Sequence, residues 1–151
     1  MHIQEKLNKH KSLFFDTAPI IYFVEKNLQF FPVVEAIFDA VDSGKIIAFT
    51  SPITLSESLI FPYKQENKEL ADTFCSLIIN ANNTHFVSID ESIGLLAAQL
   101  RVKYNLSLTD AIQISTAINS KCDGFLTNDI QLKRVTEIEI IVIKEYEVET
   151  I

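Results

Sequence analysis

Four carboxylates in this sequence stand where a carboxylate is costly. Asp129 closes the apolar pair Phe125-Leu126 in the run FLTNDIQLKRV, and Asp16 follows Leu13-Phe14-Phe15 in the same way. Glu57, in SPITLSESL, has Ile53, Ile60 and Phe61 one helical turn away, a spacing that predicts a carboxylate on the apolar stripe of a helix. Asp110 repeats the pattern with Ile114, Ala117 and Ile118. Burying an unpaired charge is expensive, so acids at core-facing positions need a reason. Separate reasons exist: Asp16 and Asp129 could cap the helices that follow, and Asp110 could serve its own helix dipole. Glu57 could meet a distant cation, although no Lys or Arg lies between Lys45 and Lys64. One shared cause covers all four. Hard divalent cations take carboxylate oxygens, and an all-oxygen set without His or Cys suits Mg²⁺ or Mn²⁺ better than Zn²⁺.

The elements that would carry these acids alternate along the chain. Strand-type runs are Ser12–Asp16, Lys45–Ser51, Thr84–Asp90, Cys122–Asn128 and Ile138–Ile143. Helical segments lie between them: one from Thr17 with Pro19 in its first turn, one over Phe30–Gly44, and one from Pro52 to about Phe61. Three more cover Asn67–Asn82, a segment after Asp90 that this residue caps, and Ser107–Lys121. Strands separated by helices predict an α/β protein with a five-stranded, mainly parallel sheet covered on both faces. In such open sheets a site forms beyond the carboxyl ends of the strands. The alternation of acids with Ile and Val over 137–149 predicts a half-exposed edge strand and tail.

Composition narrows the classes. The chain has 151 residues, 48% of them hydrophobic, which fits one domain, here residues 12–151, with an N-terminal appendage at 1–11. No apolar run approaches the roughly 18 residues that span a bilayer, and MHIQEKLNKHK lacks the apolar centre of a secretory leader. Cys75 and Cys122 sit in apolar surroundings without ligand spacing, as expected of reduced core residues in a cytoplasmic protein. The net charge of −7 argues against a broad basic face gripping nucleic acid, but not against cations held in an acidic cleft. Three Gly leave no room for a Gly-rich phosphate loop. His2, His10 and His85 are scattered and are expected at the surface or in local hydrogen bonds.

The residues resemble the PIN domain family, including the VapC-like toxins of bacterial toxin–antitoxin pairs. FFDTAPIIYFVE is similar to the family's opening strand and helix, and SPITLSESL to its second motif. LSLTDAIQISTAINSKCDGFLTNDIQLKRV is similar almost throughout to its third and fourth motifs. The resemblance runs from about Ser12 to Ile143, in the family's order. It implies a three-layer α/β/α sandwich and a metal-dependent endoribonuclease using Mg²⁺ or Mn²⁺. Asp16, Glu57, Asp110 and Asp129 take the places of the family's acidic metal site. Thr127 matches its Ser/Thr two residues before the fourth acid, and Thr17 the one after the first. Ala18 departs from the pattern, since many relatives have Asn there.

The resemblance further implies that Asp16 and Asp110 are central ligands, with Glu57 and Asp129 binding directly or through water. Thr127 would orient a water or a metal-bound oxygen. RNA is the expected substrate, and a cognate antitoxin and a second copy of the chain are the expected partners; Lys133 and Arg134 are expected as solvated surface, with phosphate contact the alternative. Phe30 and Phe31 with the helix over Asn67–Asn82 carry the expectation of a homodimer. The competing expectations are a PIN fold kept as a non-catalytic RNA-holding or dimerisation module, and a housekeeping RNA-processing nuclease. The first predicts a lost acid, and none of the four is missing.

Overall fold

A computed structural model describes residues 1–150. Five strands form one sheet: β1 (Ser12–Phe15), β2 (Ile47–Thr50), β3 (Thr84–Phe86), β4 (Gly124–Thr127) and β5 (Glu139–Val142). Every pairing is parallel and the order is β3-β2-β1-β4-β5. Seven helices accompany them among the described residues: α1 (Ile3–Leu7), α2 (Thr17–Val24), α3 (Phe31–Asp42), α4 (Pro52–Lys64), α5 (Lys68–Ile79), α6 (Glu91–Tyr104) and α7 (Leu108–Asn119). The strand expectations hold in place, each trimmed by a residue or more where the chain turns into a cap.

The alternation of a central strand sorts the core into two layers. Leu13 and Phe15 join a cluster with Ile3, Leu7, Ile20, Ile37, Phe74 and Ile78, contributed by α1, α2, α3 and α5. Phe14, between them in sequence, joins Phe125, Ala97, Leu100, Ala111 and Ile114 on the opposite face, under α6 and α7. The result is the expected three-layer α/β/α sandwich. Phe14 and Phe125 stack across adjacent strands with ring centres 5.5 Å apart.

The caps follow from sequence. Asp16 caps α2, Ser51 caps α4 with Pro52 behind it, Asn67 caps α5, Asp90 caps α6 and Ser107 caps α7. Beyond the end of α3, Gly44 takes φ +81°, a conformation that favours a residue without a Cβ.

One expectation is corrected at the edge. β5 is the outer strand, but Ile140, Ile141 and Val142 are all buried rather than half-exposed. Ile140 and Val142 pack with Phe125, Leu132 and Val135 on one face of the sheet, and Ile141 packs with Ile3 and Leu7 of the first segment on the other. Residues 1–11 form the helical turn α1, whose Ile3 and Leu7 are buried in the main core. The amide of Ile3 donates to the carbonyl of Glu147 at 2.8 Å, and Glu139 of β5 is an ion-pair partner of Lys6. His10 is buried, its Nε2 lying 3.0 Å from Glu139 Oε1 and its Nδ1 2.8 Å from the Lys6 carbonyl oxygen. No helix among the described residues is long and apolar enough to cross a membrane.

Candidate active site

Strands β1, β2 and β3 run outward in one direction from the centre of the sheet, whereas β4 returns to the other flank of β1. The switch in strand order therefore falls between β1 and β4, where a site is expected beyond the carboxyl ends. Phe15 pairs with Leu126, and the amide of Asp16 donates to the Leu126 carbonyl at 3.0 Å. Asp16 and Thr127 thus emerge side by side.

Hydrogen bonds fix both oxygens of Asp16. Oδ1 accepts from the amide of Thr17 at 2.9 Å, and Oδ2 accepts from the Thr127 hydroxyl at 2.8 Å. Thr127 Oγ1 in turn accepts from the amide of Asp129 at 3.2 Å, so the same hydroxyl bonds the first acid and the backbone of the fourth. Thr17 uses its own hydroxyl differently, donating to Glu57 Oε1 at 2.7 Å. One continuous set of contacts therefore links Glu57, Thr17, Asp16, Thr127 and Asp129. Asp110 stands in the first turn of α7, whose cap Ser107 accepts from its amide at 3.1 Å.

The electrostatics agree with a shared cleft. Burial raises the Asp16 carboxyl from its ordinary value to about 6; its two hydrogen bonds oppose the rise, and the charges of Asp110 and Glu57 add to it. Burial also raises Asp110, with Asp129 adding to the rise while Ser107 and Arg134 oppose it. All four acids are thus close enough for charge on one to be felt by another of the set. Among the described residues no three His, Cys, Asp or Glu side chains converge closely enough to hold an ion between them. The donor chemistry nonetheless fits Mg²⁺ or Mn²⁺: carboxylates and hydroxyls only, around a cleft where water completes the shell, since Mg²⁺ keeps several waters and needs few protein ligands.

One expectation about an individual residue is corrected. Glu57 is exposed, and the buried face of α4 is Thr54, Ser58, Leu59 and Pro62. Ile60 and Phe61, used to place Glu57 on an apolar stripe, are themselves more than half exposed at 54% each. Glu57 reaches the cleft from the outer side of its helix, through Thr17. Lys133 and Arg134 make contacts within the chain. Lys133 pairs with Glu145 at 2.8 Å. Arg134 donates to the carbonyls of Tyr104, Asn105 and Gln131, closing the turn between α6 and α7.

Sequence reasoning passed over three buried polar residues behind the cleft, Ser51, Thr54 and Gln113. Gln113 carried a usable signal: it sits directly between Ile112 and Ile114 on a helix whose Ala111, Ile114 and Ala117 are core.

The profile of one protein family, the PIN domain, matches residues 13–138. No protein of curated function matches the chain significantly. Among solved structures, VapBC2 from Rickettsia felis bound to a promoter DNA fragment is similar at TM-score 0.70 and 15% identity, over 87% of this chain and 98% of that one. VapBC-1 from nontypeable Haemophilus influenzae is similar at TM-score 0.66 and 18% identity, over 88% of this chain and 98% of that one. VapC20 from Mycobacterium tuberculosis, described as a sarcin–ricin loop cleaving toxin, is similar at TM-score 0.65 and 11% identity, over 84% and 98%. Identities this low carry the fold alone. The family profile spans most of the sequence, and the chain belongs to the PIN domain family.

Proposed function

We propose that this chain is a divalent-metal-dependent endoribonuclease acting as the toxin of a type II toxin–antitoxin pair. The observation that carries the nuclease reading is Asp16. It is a buried carboxylate at the switch point, raised to about 6 and facing two further acids. Beyond capping α2, a buried carboxylate facing like charges costs the fold unless a cation offsets it.

Asp16 and Asp110 would be the central ligands of Mg²⁺ or Mn²⁺, with Glu57 and Asp129 binding directly or through water. The cation, when bound, supplies a more acidic water and offsets charge on phosphate oxygens. The remaining chemistry belongs to the chain. Thr127 orients Asp16 through its 2.8 Å bond and opposes the rise of its carboxyl, and Thr17 orients Glu57 through a bond of 2.7 Å. Hydrolysis of an RNA phosphodiester forms one P–O bond to water and breaks the bond to the leaving 3′ oxygen.

The toxin reading draws support from similar solved structures that are toxin–antitoxin complexes and from an open apolar groove of about 980 Å³, lined by Phe23, Val24, Phe31 and Leu77 between α2, α3 and α5. A peptide segment of an antitoxin would suit this groove. Self-association remains part of the proposal, with a changed basis. Phe30 and Phe31 already stack on Tyr22 and Phe23, whereas Ile60, Phe61 and Tyr63 of α4 stand exposed.

Purified protein with Mn²⁺ should cleave single-stranded or structured RNA, and EDTA should stop it. A folded preparation that cleaves nothing across a broad RNA panel with either metal would move the reading to a non-catalytic module. Co-purification with a small protein encoded beside it separates a toxin from a housekeeping nuclease. Sedimentation at tens of micromolar, roughly the range for a contact of standard size, reads the dimer.

A further inference from the structure

We propose that Gln113 is a positioning residue that sets the spacing of Glu57 and Asp110 about Asp16; the catalytic part of this inference rests on the nuclease reading above. Gln113 is 1% exposed, and its two partners Ser51 and Thr54 are fully buried. The Ser51 hydroxyl donates to Gln113 Oε1. Gln113 Nε2 donates to Thr54 Oγ1 at 2.7 Å, and the Thr54 hydroxyl donates to the carbonyl of Phe15 at 3.2 Å. The donors run in one direction, and each is matched to an acceptor. Ser51 Oγ also accepts from the amides of Ile53 and Thr54 at 3.1 and 3.4 Å, so the chain of bonds begins at the N-terminus of α4.

Each member sits next to an acid. Gln113 is one turn after Asp110 on α7, Thr54 one turn before Glu57 on α4, and Phe15 immediately before Asp16 on β1. One amide group thereby ties together three elements that carry three of the four acids. The buried apolar residue Leu59 of α4 belongs to the core layer on one face of the sheet. Ala111, Ile114 and Ala117 of α7 belong to the layer on the other. No apolar cluster therefore spans α4 and α7, and hydrogen bonds must set their register. A buried amide is a costly way to fill space, since an apolar side chain of that size needs no partners. Its geometry, in contrast, is directional, and small displacements of reacting groups cost much rate.

The test replaces the bonds without changing the volume, in the full-length protein. Gln113→Met combined with Thr54→Val leaves apolar atoms facing one another and keeps Ser51 as the cap of α4. Three quantities are read: RNA cleavage with Mn²⁺, Mn²⁺ affinity by calorimetry, and the distance between spin labels at Tyr63 of α4 and Asn119 of α7. The labels are placed in a background with Cys75 and Cys122 replaced by Ala. We expect kcat to fall about tenfold or more with KM within about twofold, weaker Mn²⁺ binding, and a broadened or displaced label distance. A folded variant with unchanged kcat and an unchanged distance distribution overturns the proposal. If wild type cleaves no RNA, the nuclease reading fails and the label distances alone decide: an unchanged distribution removes the positioning role, a changed one upholds it. Should the paired variant fail to fold, Thr54→Val alone breaks the link to Phe15, and the same outcomes are read on it.

Discussion

The Thr127 hydroxyl lies 2.8 Å from Oδ2 of Asp16, joining the ends of two adjacent parallel strands at the point where the sheet reverses its order. A neutral donor aimed at a buried carboxylate favours its ionised form. Thr127→Val keeps the shape and removes the donor, so the Asp16 carboxyl should rise above its present value of about 6. Cleavage at pH 7 should drop by up to about tenfold for each pKa unit that Asp16 rises, as its ionised fraction falls. The acid limb of the pH–rate profile should move up, while Thr127→Ser should restore both. A Val variant with the wild-type profile would show that the bond is ornamental to catalysis.

Asp110 should separate a cap from a ligand. Ser107, not Asp110, caps α7, and burial already raises the Asp110 carboxyl. Asp110→Asn should abolish cleavage and leave metal-free thermal stability unchanged or higher. It should also shrink the stabilisation given by added Mn²⁺, because a ligand stabilises only by binding the native state. A variant that melts clearly lower without metal, by the order of 1 kcal/mol expected for a lost cap, and still cleaves RNA would make this acid structural.

The pH dependence of metal-free stability follows from Asp16. Its folded pKa, about 6, exceeds its ordinary value of 3.8, so the folded chain holds the proton more tightly. The contribution is complete below about pH 4 and is lost as pH rises through about 6, roughly 3 kcal/mol over the interval. Urea unfolding in EDTA should show wild type losing stability relative to Asp16→Asn between pH 4.5 and 7.5. Parallel pH curves for the two proteins would mean the carboxylate is not buried as described.

Gly124 tests the fold beneath the site. A Cβ there would meet Ile141 Cδ1 and Leu13 Cδ2, each at 3.0 Å, so two fully buried side chains must give by a few tenths of an ångström. Gly124→Ala should therefore destabilise by about 1–3 kcal/mol despite the entropic gain of replacing glycine. Denaturant titration reads the loss directly, and a neutral or stabilised variant would show that the β1–β4–β5 packing is looser than these distances.

The sequence determined the elements because their signals are local. Strand-length apolar runs and helical periods placed all five strands and the main helices, and chain order with parallel crossovers implied two covered faces. It also located the acids, because Asp16 and Asp129 are anchored by the ends of strands rather than by any distant contact. Rotation of a helix about its axis is another matter. Glu57 reads as core-facing from its neighbours, yet α4 turns Thr54 and Ser58 inward and Glu57 outward, because its partner across the interface is polar. Gln113 finds its partners 59 and 62 residues away, Thr17 reaches Glu57 across 40, and α1 covers β5 from the far end of the chain. Arg134 likewise lies three residues from Gln131 but spends its other donors on the end of α6, 29 and 30 residues back. Such pairings arise only when whole elements pack, since periodicity records which face of a helix is apolar and not which polar side chain waits opposite.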